Sequence, residues 1–240
     1  MVTSQTIPSS PHPYTHIYCT KCGHSIAVPK FCKNRFCDVC SYVRTRRVRS
    51  RLEELCRSTK PDKHYRLRFL TLSVSNDTDA RELAKHLVRS FRNLRRRKWW
   101  ADRVRGGCSV LEVTGSPGSW HVHIHAILES QYLPWSDLHT LWKSISGGLG
   151  VWINNISPSA ATGYLAKYLT KAPDSPDITL DLNDALRGFR MFQPFGEWHN
   201  KLKPPPKKSY PCPICGNDIW LVDTVVDLMA RGFTPKVHSP

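Results

Sequence analysis

Hydrophobic and polar residues alternate along Trp120–Leu128, which reads Trp-His-Val-His-Ile-His-Ala-Ile-Leu. A period of two is the period of a β-strand, in which successive side chains point to opposite faces of a sheet. We therefore expect apolar side chains on one face of this strand, towards a core, and three imidazoles on the other. The three are His121, His123 and His125.

A second alternating run, Ser109–Thr114, lies just upstream, and the Gly-Ser-Pro-Gly segment between the two runs is typical of a tight turn. If the turn centres on Pro117 and Gly118, the runs form a β-hairpin. In that register Glu112 lies opposite His123, on the same face. The hairpin therefore predicts a carboxylate beside the imidazoles.

The chain before this hairpin predicts a strand and a helix. Arg66–Ser75 is apolar enough for a central strand, and Asn76 or Asp77 can cap the helix that follows. That helix carries an apolar stripe at helical spacing, which we expect to pack in the core. The stripe consists of Leu83, Leu87, Phe91 and Leu94.

The chain after the hairpin predicts a helix, a strand and a further helix. The first helix covers Ser136–Ser146 and ends at Gly147, and the strand covers Val151–Ile156. Ser159 can cap the last helix, which should run to about Lys171.

The order strand, helix, strand, strand, helix, strand, helix is the split β-α-β pattern of the ferredoxin-like and RNA-recognition folds. It predicts an α+β domain in which helices cover an antiparallel sheet. We expect this domain over residues 61–200, after a disordered lead (1–15) and a zinc ribbon with an Arg-rich helix (16–60). Residues 201–240 should form a basic, Pro-rich linker and a Cys-x-x-Cys knuckle, and residues 174–184 an acidic loop.

The nine cysteines favour zinc over disulfides, because six of them fall in Cys-x-x-Cys pairs and the first residues lack the apolar stretch of a secretion signal. Two pairs match the spacing of a structural zinc ribbon, in which four thiolates close a tetrahedral site. The predicted ligands are Cys19, Cys22, Cys37 and Cys40. Cys32 is a spare that either replaces one of the four or is a small buried residue.

Cys212 and Cys215 resemble half of a second zinc knuckle. The sequence leaves its other half open between His199, His238, Cys32, His24 and a share of the first site. The lone Cys56 and Cys108 are expected to be small buried residues.

A net charge of +16 over 240 residues favours a polyanionic partner. No apolar run approaches the about 18 residues of a membrane span, so we expect a cytoplasmic protein without a membrane partner. Two basic clusters are candidates for DNA phosphate contacts, with a solvated helix face as the alternative. They are Arg44, Arg46, Arg47, Arg49 and Arg51 on a predicted helix over Ser41–Thr59, and Arg95, Arg96 and Arg97. Trp99 and Trp100, which follow, either stack on single-stranded bases or anchor a helix end.

The predicted hairpin offers two imidazoles and one carboxylate to a single cation. His123, His125 and Glu112 would leave coordination positions open, which suits catalysis better than structure, and His121 is an accessory candidate. Such a mixed nitrogen and oxygen site accepts Mg or Mn, and Zn is also possible. The alternative is a solvated polar face that happens to be rich in histidine.

Tyr164, Tyr168 and Lys171 share one face of the last predicted helix, and Leu165 and Leu169 lie on a neighbouring face. A phenol is a poor nucleophile at neutral pH because its pKa is about 10, and a nearby cation makes it a better one. The alternative is an amphipathic helix with interfacial tyrosines, which the neighbouring histidine strand makes less attractive.

These motifs, taken in order, resemble those of HUH endonucleases, and within them the rolling-circle replication initiators (Rep) of plasmids and single-stranded DNA phages. They are Phe-Leu-Thr-Leu-Ser-Val (69–74), Glu112 with the histidine strand, and Tyr-Leu-Ala-Lys-Tyr-Leu-Thr-Lys (164–171). The combination is more specific than any single motif. The resemblance covers roughly residues 30 to 200.

The resemblance implies that Tyr168 is the nucleophile, with Lys171 three residues later, and that Glu112, His123 and His125 hold the metal. Many plasmid relatives carry Glu at the position of Tyr164, whereas two-tyrosine phage proteins carry Tyr. The implied reaction nicks single-stranded or hairpin origin DNA, leaving a 5′-phosphotyrosine and a free 3′-hydroxyl for a polymerase. The chain lacks obvious helicase motifs, so a host helicase would unwind the DNA.

Two other functions also fit parts of the pattern. One is a related HUH transposase or relaxase; the predicted zinc ribbon and the paired tyrosines argue against the single-tyrosine transposases. The other is a zinc-containing DNA-binding regulator without catalysis, which would leave the histidine strand and the tyrosine helix unexplained.

Overall fold

The computed structural model describes residues 14–29, 34–58, 62–170, 176–202, 211–217 and 220–222. Its strands are β1 (Tyr14–Cys19), β2 (Ser25–Pro29), β3 (Arg66–Ser73), β4 (Val104–Ser116), β5 (Ser119–Ser130), β6 (Gly150–Asn155), β7 (Phe192–Gly196) and β8 (Trp220–Val222). Its helices are α1 (Asp38–Ser58), α2 (Ala80–Arg95), α3 (Lys98–Ala101), α4 (Trp135–Ser146), α5 (Pro158–Thr170), α6 (Pro176–Ala185) and α7 (Trp198–Lys201).

The described residues divide into two compact units. The larger unit contains 34–58, 62–170 and 176–202, and the smaller contains 14–29, 211–217 and 220–222. This division differs from the predicted one, because α1 belongs to the larger unit and the Cys212 segment belongs with the N-terminal strands.

The larger unit is an α+β fold built on a five-stranded antiparallel sheet, with the strand order β6-β3-β5-β4-β7. Its first four strands and the helices between them follow the split β-α-β order, with β7 added at one edge. The predicted fold class of the main domain is therefore confirmed.

The two faces of the sheet carry separate apolar cores. On one face Leu70, Ile124 and the predicted α2 stripe are buried with Trp142 of α4. On the other face Phe69 and Ile127 are buried with side chains of α1 and α5. Alternation along β3 and β5 explains this separation, since neighbouring residues in a strand face opposite ways.

The structure corrects both predicted helix caps. The N-cap of α2 is Asp79, whose side chain accepts hydrogen bonds from the backbone of Arg81 and Glu82, instead of Asn76 or Asp77. Asp77 instead forms an isolated bridge with Trp120 of β5. At α5 the hydroxyl of Ser157 accepts from the backbone of Ala160, so the capping residue lies two positions before Ser159.

The predicted acidic loop is wrong over most of its length, because α6 occupies residues 176–185. Leu182 of this helix is buried in the core on the sheet face that carries α2. Apolar contacts of this kind explain why an acidic segment forms a helix here. Residues 1–13 of the predicted disordered lead (1–15) and the linker residues 203–210 lie outside the described residues, whereas Tyr14 and Thr15 belong to β1, which corrects the lead at its end. No helix in the described ranges is both long and apolar enough to cross a membrane.

The smaller unit is a three-stranded antiparallel sheet with the order β2-β1-β8. Strand β1 pairs with β2 on one side and with β8 on the other, and Cys19 lies opposite Trp220. The N-terminal strands are therefore completed by a strand from the other end of the sequence.

Candidate active site and cysteine cluster

The hairpin of β4 and β5 forms in the predicted register. Ser116 pairs with Ser119, so the turn residues are Pro117 and Gly118, and Glu112 pairs with His123. Gly118 has a φ of 91°, which fits the position after proline in a type II turn. The turn thereby fixes which carboxylate faces which imidazole.

Glu112, His123 and His125 form a compact donor group, in which one ligand atom from each residue lies within 4.8 Å of the others. Nε2–H of His125 donates to Oε2 of Glu112 over 2.7 Å, and Nδ1 of His123 lies 3.8 Å from the same oxygen. Glu112 and His125 are buried, whereas the side chain of His123 is 29% exposed. The group fits a divalent metal ion that is reachable from one side.

His121 lies on the same strand face but is not part of this donor group. It pairs with Thr114, two positions nearer to the turn than the pair of Glu112 and His123. Its predicted accessory role has no support in the contacts of the described residues.

Two residues of β3 support His125; both lie in the 69–74 motif, but the sequence predicts no contact between them and His125. The hydroxyl of Thr71 donates to Nδ1 of His125 over 3.0 Å, and Thr71 also pairs with His125 across the strands. The ring of Phe69 stacks on that of His125 with centroids 5.8 Å apart. A partner on the second ring nitrogen fixes the orientation of a histidine ligand.

Helix α5 brings both tyrosines to this donor group. The ring of Tyr168 stacks on that of His125 with centroids 3.6 Å apart, and the ring of Tyr164 lies 5.3 Å from that of Phe69. Leu165 is fully buried against the sheet, as its position on the helix predicts, and Tyr164 is 48% exposed. The tyrosine face of the helix therefore lies beside the imidazoles.

A lysine that the sequence reasoning missed also lies beside Tyr168. Nζ of Lys167 is 5.9 Å from the centre of the Tyr168 ring. Its position one helical turn after Tyr164 could have indicated it, but the helical spacing favoured Lys171, which shares a face with both tyrosines. Lys171 lies outside the described residues.

The smaller unit brings Cys19 and Cys22 together with Cys212 and Cys215. Sγ of Cys19 is 3.5 Å from Sγ of Cys215, and Sγ of Cys22 is 3.6 Å from Sγ of Cys212. Four thiols at these distances have the donor set of a closed tetrahedral zinc site.

The pKa values of Cys19 and Cys22 depend on the neighbouring thiols. Burial raises the pKa of Cys19, but backbone N–H groups of Cys22 and Lys21 and the side chain of Asn217 stabilise its thiolate, and its pKa falls to about 6. A backbone hydrogen bond from His24 lowers the pKa of Cys22, but burial and the neighbouring thiols together raise that pKa to about 12. A divalent cation removes this mutual repulsion, because it allows all four sulfurs to be thiolates.

The predicted pairing of Cys19 and Cys22 with Cys37 and Cys40 is therefore corrected. Cys37 and Cys40 lie at the start of α1 in the larger unit, and the pairing of β1 with β8 supplies the C-terminal pair instead. Of the alternatives for the second knuckle, a share of the first site is the one found. His24 and His199 are not in the described group, and Cys32 and His238 lie outside the described residues.

The lone cysteines are buried, as predicted. Burial raises the pKa of Cys56 to about 11, aided by Glu129, and raises the pKa of Cys108 well above its usual value, aided by Cys56. Both therefore remain neutral thiols in the core.

The arginines of the two basic clusters divide into exposed residues and partly buried residues. The arginines of α1 are exposed except Arg51, which is partly buried and donates to the backbone oxygen of Leu202. The exposed ones are Arg44, Arg46, Arg47 and Arg49. Arg96 and Arg97 are also exposed, but Arg95 lies over the rings of Phe91 and Phe195, where burial lowers its pKa.

Of the two roles predicted for the Trp pair, which lies in α3, Trp100 has that of an anchor in the core. Trp100 is 2% exposed and lies edge-on to Phe91 in the core. Trp99 is partly buried, with the guanidinium of Arg103 over its ring. Neither contact is that of a free stacking surface.

The fold and the donor group define an α+β protein in which a carboxylate and two imidazoles that could hold a metal ion lie beside a tyrosine helix. A family model described as "Replication protein" matches residues 23–136, which include the whole hairpin and end before α5. A protein named Protein rep from Staphylococcus aureus is 26% identical over 129 residues, a match that covers 48% of this chain and 56% of that relative. No solved structure matches. The chain is therefore similar to Rep replication proteins over about half of its length, and the predicted resemblance to Rep initiators is confirmed.

Proposed function

We propose that this protein initiates rolling-circle replication by nicking single-stranded origin DNA, with Tyr168 as the nucleophile. The observation that carries the proposal is the stacking of the Tyr168 ring on His125, a candidate metal ligand, at 3.6 Å. The match to replication proteins supports the same process. Since the match spans 56% of that relative, the activity of the whole protein is part of the proposal.

Glu112, His123 and His125 are the proposed ligands of a catalytic Mg or Mn ion. When bound, such an ion polarises the scissile phosphate and stabilises the charge that develops during attack. Thr71 can hold His125 in either tautomer, because a hydroxyl both donates and accepts hydrogen bonds. The partial exposure of His123 leaves a side from which a DNA phosphate can enter.

The reaction exchanges one phosphate ester for another. The phenolic oxygen of Tyr168 forms a bond to phosphorus and loses its proton, and the bond from phosphorus to the 3′ oxygen breaks. The 3′ oxygen takes up a proton and becomes the hydroxyl that a polymerase extends. The ammonium of Lys167, near the Tyr168 ring, stabilises negative charge on the attacking phenol. The phosphotyrosine conserves the ester bond, so a later rejoining needs no ATP.

Tyr164 is the proposed acceptor in the second transfer, which releases the replicated strand. It lies one helical turn before Tyr168 and contacts the same Phe69 ring. Its exposure allows a DNA end to reach it. A second tyrosine would perform by transfer what a Glu-activated water performs by hydrolysis.

The proposed DNA is unpaired at the scissile site, because bases in a duplex keep the phosphate from reaching a recessed metal site. The exposed arginines of α1 together with Arg96 and Arg97 can contact phosphates and position the strand without reading its sequence. A host helicase and a host polymerase are the further proposed partners.

The cysteine cluster of the smaller unit is proposed to hold a structural zinc ion. Four thiolates leave no open coordination position, so this site has no role in the chemistry. A three-stranded sheet with a three-residue edge strand has little apolar core of its own, and metal binding can supply the missing folding free energy.

The test is capture of a covalent protein–DNA adduct from a pool of randomised single-stranded oligonucleotides labelled at the 3′ end. With Mn or Mg, the wild-type protein should retain label after denaturation, and sequencing the captured strands gives the nicked sequence. Tyr168→Phe should abolish the adduct, while the control Tyr132→Phe, in which an exposed tyrosine beyond β5 is changed, should not. The absence of an adduct with Mg, Mn or Zn would instead indicate a DNA-binding protein without catalysis.

A further inference from the structure

An exposed aromatic side chain lies on the same face of the sheet as the metal-binding group. Thr71 pairs with His125 on one side and with Trp152 of β6 on the other, so these three residues form a row across three strands. Residues directly opposite in paired strands share a face. At about 4.8 Å per strand, Trp152 lies about 10 Å from His125.

Trp152 differs from a core residue in what covers it. Trp152 is 47% exposed, and its ring packs edge-on against Phe69 with centroids 5.6 Å apart. Phe69 also contacts the rings of His125 and Tyr168. The indole therefore continues the aromatic cluster of the active site out to the open edge of the sheet.

Trp135 of α4 contacts the same edge strand, β6, and provides an internal comparison. It is 52% exposed, but its indole N–H donates to the backbone oxygen of Val151 and its ring stacks on His139 at 4.6 Å. It belongs to α4, which packs on the opposite face of the sheet. Trp135 has polar and stacking partners, whereas Trp152 presents its ring to solvent on the face that carries the active site.

We propose that Trp152 is a nucleobase subsite that stacks a base of the single strand next to the scissile phosphate. Indole is the largest aromatic surface available, and stacking on it tolerates any base sequence. Asn154, exposed two residues further along the same strand face, can hydrogen-bond to the edge of the stacked base. The inference rests on the proposed action on single-stranded DNA.

The geometry favours a single strand over a duplex as the ligand. A base can lie flat on an indole ring only when it is unstacked from its neighbours, which a duplex does not permit without base flipping. The edge position of β6 leaves the outer side of Trp152 open, so an extended strand can run past it towards His123.

The test measures binding of a randomised single-stranded oligonucleotide by fluorescence anisotropy, using the full chain with Tyr168→Phe so that no DNA is cleaved. Adding Trp152→Ala should weaken binding by about 5-fold to 100-fold, the range for loss of one base–aromatic stack. Trp152→Phe should recover most of the affinity. Trp152→Leu, which keeps an apolar side chain against Phe69, should behave like the alanine variant and controls for folding.

Two controls decide the outcome. Trp135→Ala should leave single-strand affinity nearly unchanged, and affinity for a duplex of the same length should be the same in all variants. Equal losses in the Trp152 and Trp135 variants, or an equal loss for the duplex, would overturn the subsite. Because these proteins lack Tyr168, the proposed first nucleophile, binding is measured separately from the adduct assay. A wild-type protein that fails to nick therefore refutes the proposed function and not the stacking.

Discussion

Glu112, His123 and His125 come from one hairpin, whereas Cys19 and Cys22 meet Cys212 and Cys215 across intervals of 196 and 190 residues. The residues of the hairpin group are brought together by the pairing of two adjacent strands, whose register follows from a two-residue turn. The cysteine group depends on the pairing of β1 with β8, two strands that lie far apart in the sequence.

The two groups also differ in what a bound ion can do. The hairpin group offers one oxygen and two nitrogens, with His123 partly exposed, so a bound ion keeps positions for substrate. The cysteine group offers four sulfurs, of which two belong to buried residues, and an ion there is fully coordinated. A site formed within one hairpin is preorganised before any ion binds, while a site formed from distant segments needs the ion to bring them together.

The substitution with the largest expected effect is in the cysteine group. Cys212→Ser removes one of four zinc ligands, and because structural zinc contributes roughly 10–16 kcal/mol in small zinc domains, the smaller unit should lose its ion and its ordered fold. Alkylation followed by mass spectrometry should then show Cys19 and Cys22 reacting rapidly, whereas zinc protects them in the wild type.

The matched control for this variant is Cys37→Ser. It should leave Cys19 and Cys22 protected, because Cys37 lies in the larger unit. If Cys37→Ser exposes them and Cys212→Ser does not, the ribbon grouping expected from sequence spacing would be correct and the grouping found in the structure wrong.

The same contrast explains which parts of the molecule could be predicted from the sequence. The strand period and the Pro-Gly turn were enough to place Glu112 opposite His123, because both signals lie within a short stretch of chain. The pairing of Cys19 with Cys215 has no local signal, and spacing favoured the nearer Cys37 pair. Periodicity reports on the face of an element, but not on which distant element joins it.

The residues that support the donor group were missed for a related reason. Thr71 and Phe69 lie in an apolar strand whose pattern indicates only burial, and their roles depend on the pairing of β3 with β5. Arg95 was taken for a phosphate contact because it stands in a basic run, but its side chain folds back over two phenylalanine rings. Composition predicted the charge of that segment correctly, but not the direction of each side chain.

A smaller effect is expected when only the support of the hairpin group is removed. Thr71→Val keeps the size and the β-branch of the side chain but deletes the hydroxyl that bonds to Nδ1 of His125. Losing such a partner usually costs about 10–100-fold in metal affinity or activity, so Mn binding and adduct formation should fall by this amount. Titration of bound Mn by electron paramagnetic resonance measures it.

Thr71→Ser, which restores the hydroxyl, should recover most of the loss, and zinc content should be the same in all three proteins. A Thr71→Val protein with wild-type Mn affinity would mean that strand packing alone orients His125.

The smallest expected effect lies in the turn that sets the hairpin register. Gly118→Ala places a side chain at a φ of 91° with no atom within 4 Å of the new methyl group, so backbone strain of about 1–2 kcal/mol is the main cost. Gly115→Ala has a similar φ, of 101°, but its methyl group would approach the backbone oxygen of Ser119 to 2.3 Å. Denaturant unfolding should therefore show a modest loss in the free energy of unfolding for Gly118→Ala and a larger loss for Gly115→Ala. Mn affinity should fall only in Gly115→Ala, because only there must the strands move apart beside Glu112. Equal losses of stability and unchanged Mn affinity in both variants would show that the turn does not control the spacing of the donor group, and that the hairpin site is less preorganised than the pairing implies.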